Sequence, residues 1–274
     1  MPTLYIAIRA FECLLATSLL IQTLEFLKLR SVQQPNALWS WTIQCGDLAH
    51  ASVPIRKLLD WLYSEPIHRL HLLLRLAAAA SLYVGSSIVS ATLLFFSTIA
   101  ILIRWRGAFN GGSDFMTIIA LTGLMIADWG QLVVSPALAW QAGLGYVCLQ
   151  TMTSYFISGA IKVFSKEWRT GTALPYFLDG GIYGPLAADS AFRKRLVAIA
   201  CSWGFIVWEC SVPVVFFGPR VAIAYCAIAL VFHILVFAFF GLNRFVWAWI
   251  VSFPAVIYWA GNSLLALAPT GAGG

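Results

Sequence analysis

Charged side chains are scarce in this sequence. Only 10% of its 274 residues are Asp, Glu, Lys or Arg, against about 25% in a typical soluble protein. Hydrophobic residues make up 61% of the chain, and the mean hydropathy is +0.84. Its apolar runs are long enough for membrane helices. The composition therefore predicts an all-α, multi-pass integral membrane protein, and we interpret residues 1–265 as one transmembrane domain.

Several signatures of catalysis and binding are missing as well. The sequence contains no Walker loop, no dinucleotide-binding GxGxxG motif, no HExxH and no GxSxG. It therefore gives no support for ATP-driven transport or ordinary hydrolase chemistry. The six cysteines include no CxxC pair and all but Cys45 lie in apolar runs, so we expect buried, unreactive thiols. The net charge of +6 fits basic residues in short cytoplasmic loops, and we expect no nucleic-acid partner.

Apolar runs of about 20 residues predict about eight transmembrane helices. They lie at about 4–27, 69–84, 87–104, 115–134, 137–164, 196–217, 221–240 and 245–265. The run from Leu70 to Arg104 is too long for one span, and Gly85-Ser86-Ser87 divides it at a turn. Ser113 or Asp114 is predicted to cap the fourth helix, and Pro136 to open the fifth.

The segments between and after the spans give the predicted orientation. Residues 28–68 are polar, and within them Ser52 to Tyr63 has apolar side chains at helical spacing opposite charged ones. We predict that this stretch is an amphipathic helix lying on the membrane surface. Loops rich in Lys and Arg all fall on one side of the predicted bundle, which places them in the cytoplasm and both termini outside. Residues 266–274 are expected to form a disordered tail.

Ionisable side chains inside apolar runs are functional candidates, because protein or water must solvate each of them. We single out Glu12, Glu25, Asp128, Lys162, Glu209 and His233. The alternative is that such residues pair with one another and fix the register of the helices. Both interpretations stay open for Lys162 and Glu209, and because an unpaired buried charge is costly, we expect the Lys162 ammonium to lie within reach of an acidic residue, with Glu209 the first candidate. Structural pairing is favoured for Glu12 and Glu25, and simple solvation near the membrane surface is expected for Asp128.

The histidines offer a cofactor interpretation that the spacing does not favour. His233 lies in the middle of a span, where a hydrogen-bonded core residue is expected more often than a ligand. Haem would need a second axial ligand facing His233 across the bundle. His68 and His71 lie three residues apart on one helix face, so together they cannot flank one haem from opposite sides. We therefore expect no haem and, with no third ligand near this pair, no metal site.

The stretch from Tyr155 to Gly171 carries the strongest family signal. It reads Tyr155-Phe156-Ile157-Ser158-Gly159, followed by Lys162, Trp168 and Gly171. This order resembles the membrane domain shared by vitamin K-dependent gamma-carboxylases and their bacterial relatives, the horizontally transferred transmembrane (HTTM) family. Further pieces resemble the family in the same order: Asn110 to Asp114, Glu209 with Pro213, His233 and Asn243. The resemblance covers most of residues 70–260.

The resemblance implies a pocket for a quinone or other lipid in a bacterial inner membrane. In the carboxylases the matching lysine is the base that deprotonates vitamin K hydroquinone, which makes Lys162 the implied catalytic residue. A lysine held in an apolar pocket gives up its proton more readily and can act as a base near neutral pH. The implied binding residues are Glu209, His233, Asn110, Asp114, Trp168 and Asn243. Glutamate carboxylation itself is not expected, because a catalytic histidine is missing near residues 111–113 and so is the large lumenal domain.

Three interpretations of the function stay open. The first is an HTTM-type redox or peptide-maturation enzyme that acts with a protein partner. The second is a non-catalytic integral subunit or assembly factor of a larger membrane complex, which the short loops suit. The third is a transporter, which the buried charges favour but the lack of an internal repeat disfavours.

Overall fold

A computed structural model describes residues 3–33, 37, 39–106 and 111–262. Within these residues every regular element is helical, which confirms the predicted all-α fold. The α-helices are α1 (Leu4–Lys28), α2 (Trp41–Gln44), α3 (Val53–Leu62), α4 (Glu65–Ser81), α5 (Ile88–Arg104), α6 (Gly111–Gly130), α7 (Pro136–Phe164), α8 (Lys166–Arg169), α9 (Ala173–Asp179), α10 (Arg195–Cys210), α11 (Pro219–Phe240), α12 (Asn243–Ile250) and α13 (Phe253–Gly261). Short 3₁₀ helices lie at Leu29–Gln33, Cys45–Leu48, Ala191–Arg193 and Val212–Phe217. In this part of the chain, α1 and α11 are long and apolar enough to cross a membrane.

Several predicted boundaries agree with the structure. The first predicted span matches α1, the fifth matches α7, which Pro136 opens, and the seventh matches α11. The predicted turn at Gly85-Ser86-Ser87 is confirmed, because α4 ends before it and α5 begins after it. The predicted amphipathic segment from Ser52 to Tyr63 contains α3, and its position on a membrane surface stays a prediction.

Two predicted spans are wrong as continuous helices, and a proline explains each break. A proline within a helix clashes with the carbonyl group four residues earlier. Pro213 would meet the carbonyl of Glu209, and α10 ends at the next residue, Cys210. Pro254 would meet the carbonyl of Ile250, which is the last residue of α12. Residues 196–217 therefore form α10 and a 3₁₀ helix, and the described part of residues 245–265 forms α12 and α13.

The predicted cap of the fourth span is also wrong. Helix α6 begins at Gly111, so Ser113 and Asp114 lie inside its first turn, where their own backbone is already helical. Residues 165–195, between the fifth and sixth predicted spans, contain α8, α9 and a 3₁₀ helix. An ion pair of 2.7 Å between Arg193 and Asp179 ties the end of this segment to α9.

The chain divides into two compact units. The first unit comprises residues 8–143, and the second comprises residues 1–7 and 144–274. The boundaries fall inside α1 and α7 rather than at linkers. The interpretation of residues 1–265 as one transmembrane domain, and of the tail at 266–274, which lies outside the described residues, stays a prediction.

A completely buried arginine, Arg75 of α4, joins three helices of the first unit. Its guanidinium donates to oxygen atoms on α1 and α5: Gln22 Oε1 at 2.7 Å, Thr23 Oγ1 at 3.1 Å, Thr98 Oγ1 at 2.7 Å, Ser97 Oγ at 3.2 Å and the Leu94 carbonyl at 3.3 Å. All of these acceptors are neutral. Hydrogen bonds to neutral groups thus solvate a cation in the middle of the unit.

Two carboxylates, on α1 and α6, meet at the turn between α4 and α5. Glu12 is buried, pairs with Arg9 of the same helix and accepts from the Ser86 backbone N–H at 2.7 Å. These partners are structural, but they lie outside the set of residues that were expected to pair with one another. Asp128 accepts from the Ser86 hydroxyl at 2.9 Å. The expectation that Asp128 is simply solvated is wrong, since its side chain is buried and hydrogen-bonded by the protein.

The start of α5 gives a first testable prediction. Ser87 accepts from the Ser90 N–H at 3.2 Å, and Ser90 Oγ accepts from the Ser87 N–H at 2.9 Å, so the two residues form a capping box. We expect Ser87→Ala to lower the free energy of unfolding by about 1 kcal/mol, because the Ser90 amide loses its acceptor. Denaturant titration in detergent micelles measures this. Ser81→Ala is the control, since that exposed hydroxyl bonds only to the carbonyl of Ala78, and equal losses in both variants would contradict the prediction.

Candidate functional site

Lys162 and Glu209 form an ion pair in the second unit. Lys162 lies in the last turn of α7, and Glu209 lies in the last turn of α10. The Lys162 Nζ atom is 2.6 Å from Glu209 Oε2 and 2.8 Å from Oε1. The ammonium therefore contacts both oxygens of the carboxylate, and the predicted contact between these two residues is confirmed.

Ser158, one helical turn before Lys162, completes the coordination of the ammonium. Its Oγ lies 2.6 Å from Lys162 Nζ and donates to Glu209 Oε1 at 3.1 Å. A hydroxyl can accept and donate at once, so Ser158 bridges the cation and the anion. The Ser158 carbonyl lies 3.4 Å from Nζ, so the three protons of the ammonium face four oxygen atoms. Sequence reasoning missed Ser158, although its position four residues before Lys162, on the same helix face, was an available signal.

The two members of the pair differ in how far they are covered. The side chain of Lys162 is 15% exposed, whereas that of Glu209 is 4% exposed. The Lys162 ammonium also lies 5.2 Å from the ring centroid of Trp168, within cation–π distance. Ser165 holds Trp168 in place by accepting from its backbone N–H at 3.3 Å, which caps α8. A molecule that approaches this site meets Lys162 before Glu209.

A second acidic residue, Glu167, lies on the exposed surface of α8, next to Trp168 in the sequence. The pKa of the Glu167 carboxyl is lowered, first by its own backbone N–H and then by the Ser165 hydroxyl, which donates to it at 2.9 Å. The nearby Lys166 and Arg169 lower it further. Glu167 is therefore ionised at neutral pH, on the outside of the segment that carries Trp168.

Two glycines of the family-like motif allow the chain to run close beside α10. A Cβ atom added to Gly159 would lie 2.8 Å from the backbone N of Cys210, and one added to Gly171 would lie 2.6 Å from that of Ile199. Gly171 also has a φ of +76°, which favours glycine. The chain from Gly159 to Gly171 thus runs antiparallel to α10, and this close approach brings Lys162 to Glu209.

Tyr155 links the motif to His233 in a buried aromatic cluster. Its hydroxyl lies 2.7 Å from His233 Nε2, and His233 is completely buried and stacks on Trp249 with ring centroids 4.9 Å apart. His233 is therefore a hydrogen-bonded core residue, as expected. The rings of Trp208, Tyr225, Phe232 and Phe245 surround this pair. Trp208 directly precedes Glu209, so the cluster adjoins the ion pair.

The remaining predicted site residues are Asn110, Asp114 and Asn243. Asn110 lies outside the described residues. Asp114 is buried in the first turn of α6, in the first unit. Asn243 begins α12 and is half-buried, and its backbone N–H donates to the Gly241 carbonyl at 3.1 Å. Of the predicted set, the structure therefore joins Lys162, Glu209 and Trp168.

No known protein family, curated protein or solved structure that was compared with this chain matches it. The resemblance of residues 155–171 to the HTTM family therefore stays a prediction. Among the described residues, no group of three His, Cys, Asp or Glu side chains is placed to hold a metal ion. The geometry establishes a covered lysine–glutamate pair with a bridging serine and an indole ring beside the ammonium.

Proposed function

We propose that this chain is a multi-pass integral membrane protein of HTTM type whose Lys162–Glu209 pair takes up a proton from a lipid-type ligand. The surface of α11 supports the membrane part of this proposal. Large apolar side chains are exposed along the whole helix: Val221, Ile223, Ile228, Val231, Ile234, Leu235 and Phe237. Burial of such surface in hydrocarbon is favourable. The eight predicted spans, the outward termini and the bacterial inner membrane belong to the same proposal.

The proposal rests on the contact between Lys162 and Glu209, in which Glu209 is the less exposed of the two side chains. When the proton of the ammonium passes to the carboxylate, the charged pair becomes a neutral amine and a carboxylic acid. The amine of Lys162, which is the more exposed member, is then a base that a ligand can reach. It takes the proton of a ligand hydroxyl and becomes an ammonium again, while the ligand keeps the electron pair as an oxyanion. The step assigned to the pair is proton transfer alone.

A quinol, or another lipid with an acidic hydroxyl, is the proposed ligand class. The indole face of Trp168 lies next to the ammonium and suits an aromatic ring. Ile161 and Phe164, in the last turns of α7, are exposed apolar side chains that suit a hydrocarbon tail. Such a ligand supplies redox chemistry when bound, whereas Lys162 and Glu209 supply the proton acceptor.

A second candidate function is that of a non-catalytic subunit or assembly factor. The specific observation in its favour is the number of oxygen atoms around the ammonium, because Ser158 and the two oxygens of Glu209 satisfy all three of its protons. On this interpretation the pair fastens α7 to α10 and holds no ligand. A protein partner would then bind elsewhere on the surface.

Quinol binding separates the two candidates. We expect decylubiquinol, kept reduced, to quench the tryptophan fluorescence of the purified protein, because Trp168 lies at the proposed site. Lys162→Met is expected to weaken this binding at least tenfold by removing the base. Lys166→Met is the matched control, because that lysine is exposed and lies outside the pair. Equal affinities for all three proteins would contradict the proposal, and native mass spectrometry that finds a stoichiometric protein partner but no lipid would favour the second candidate.

A further inference from the structure

A cavity in the first unit has the features of a second binding site. Its volume is about 510 Å³, and it is lined by residues of α1, α2 and α4, by Tyr63 directly after α3 and by Arg104 at the end of α5. This size falls in the range of about 300–1,000 Å³ that is typical of ligand sites. One wall is apolar and consists of Phe26, Leu27, Leu72 and Leu73, and Arg104 and His68 lie among the other lining residues. The cavity is formed entirely by residues of the first unit and does not include Lys162.

Arg104 supplies a buried positive charge at this cavity. Its guanidinium donates to the Trp39 carbonyl at 2.6 Å and to the Gln44 side chain, and both acceptors are neutral. The rings of Trp41, Tyr63 and Trp105 surround it, with centroids 5.6–6.0 Å from its central carbon. Its Nε atom is buried without a hydrogen-bond partner among the described residues. The cation is therefore held by neutral groups and keeps one donor, Nε, that has no partner in the described part of the chain.

His68, which also lines the cavity, has a buried imidazole ring without hydrogen-bond partners among the described residues. Only 5% of the residue is exposed, and neither ring nitrogen has a hydrogen-bond partner in the described part of the chain. A neutral imidazole carries one donor and one acceptor, and buried polar groups are nearly always paired in folded proteins. Its neighbour His71, by contrast, bonds to Ser97 Oγ at 2.7 Å. His68 thus offers the hydrogen bonds that a polar headgroup in the cavity would require.

The balance of charge indicates the sign of that headgroup. The charged residues that line the cavity are Arg69, Arg104 and Glu65, two cations and one anion. We propose that the cavity binds an amphiphile with an acidic headgroup, which His68 and Arg104 hold, and a hydrocarbon chain, which lies along Phe26 and Leu72. A free long-chain carboxylic acid and an acidic phospholipid share this chemistry.

Displacement of a fluorescent fatty acid, cis-parinaric acid, from the protein in amphipol tests the proposal. We expect saturable binding that oleate reverses and that oleyl alcohol reverses at least tenfold less well, because the alcohol lacks the charge. Phosphatidic acid is the third competitor. Displacement by phosphatidic acid in place of oleate would support the site and assign its ligand to the phospholipids. Equal displacement by oleate and oleyl alcohol would overturn the proposal.

Three variants connect the binding to the cavity. His68→Phe breaks no hydrogen bond in the described structure, so we expect a folded protein that binds oleate about tenfold more weakly, because the charged headgroup loses one hydrogen-bond partner. His50→Phe changes an exposed histidine that does not line the cavity, and should bind as the wild type does. Leu73→Trp fills the cavity from a position that is 46% exposed and is expected to abolish binding. Unchanged binding in folded Leu73→Trp protein would place the fatty acid elsewhere and overturn the assignment.

Discussion

Replacement of Lys162 by alanine is expected to lower the free energy of unfolding by about 3–5 kcal/mol, the usual effect of breaking a buried ion pair. Glu209, whose side chain is only 4% exposed in the pair, would lose its cation, and the Ser158 hydroxyl alone cannot replace the ammonium. Lys162→Met combined with Glu209→Leu should recover most of the loss, because apolar side chains of similar volume need no partner. Denaturant titrations of the single and double variants, analysed as a double-mutant cycle, measure the coupling.

The chain contains a matched control for this experiment. Arg193 and Asp179 also pair at 2.7 Å, but about a third of each side chain is exposed. Exposed pairs contribute about 0–1 kcal/mol, so Arg193→Met should change the stability little. A loss in Lys162→Ala as small as that in Arg193→Met would contradict the inference that burial makes the first pair important.

The double variant also separates the proposed functions. It should fold, yet it has neither the amine nor the carboxylate of the pair. A protein that uses Lys162 as a base would lose quinol binding and activity in this variant. A subunit that uses the pair only to fasten α7 to α10 would keep its partner and its role.

The second large effect is expected at Gly159. Its substitution by alanine places a Cβ atom 2.8 Å from both the backbone N and the Sγ of Cys210 and 2.9 Å from the Cβ of Glu209. The backbone of α10 cannot yield without moving Glu209 away from Lys162. We expect a net loss of about 1–3 kcal/mol in the free energy of unfolding, as for other overpacked interiors, despite the higher helix propensity of alanine.

Gly204 provides the control for this substitution. It lies within α10, and a Cβ atom there would meet nothing within 4 Å. Gly204→Ala should therefore raise the stability by up to about 1 kcal/mol through helix propensity alone. The two glycine-to-alanine substitutions are thus predicted to change the stability in opposite directions. Thermal unfolding of both variant proteins measures this. A stabilised Gly159→Ala protein would show that the two helices do not approach as closely as described.

The fold could be predicted from the sequence where the determinant is local. Long apolar runs gave the bounds of α1 and α11, and Gly85-Ser86-Ser87 gave the break between α4 and α5. Pro213 and Pro254 could have predicted the breaks after α10 and α12. The spans were drawn from hydrophobicity, and the apolar runs continue past both prolines. Helices α8 and α9 could not be foreseen from composition, because short helices in a polar segment depend on capping and on packing against α10.

In the candidate site, too, some features could be predicted from the sequence and others depend on tertiary contacts. The Lys162–Glu209 contact followed from the rule that a buried charge needs a partner. The need for glycine at position 159 could not be predicted in this way. It comes from the short distance to Cys210, a tertiary contact that no local sequence pattern contains. Arg75 was not among the ionisable residues singled out in the sequence, although it lies in an apolar run and is completely buried. Its partners are hydroxyl, amide and carbonyl groups, which no pattern of charges reveals.

The neutral shell around Arg75 has a consequence for biosynthesis. In the proposed membrane, α4 carries an arginine near its middle, and such a residue costs about 2.5–3.5 kcal/mol when a helix enters the bilayer alone. Gln22 and Thr23 belong to α1, which the ribosome has already made, whereas Ser97 and Thr98 belong to α5, which follows. On the proposed membrane topology, α4 would insert next to α1, and the Arg75 guanidinium would gain its remaining hydrogen bonds when α5 packs against them. If the three helices span the membrane as proposed, the hydrogen bonds of this one side chain require α1, α4 and α5 to be present together.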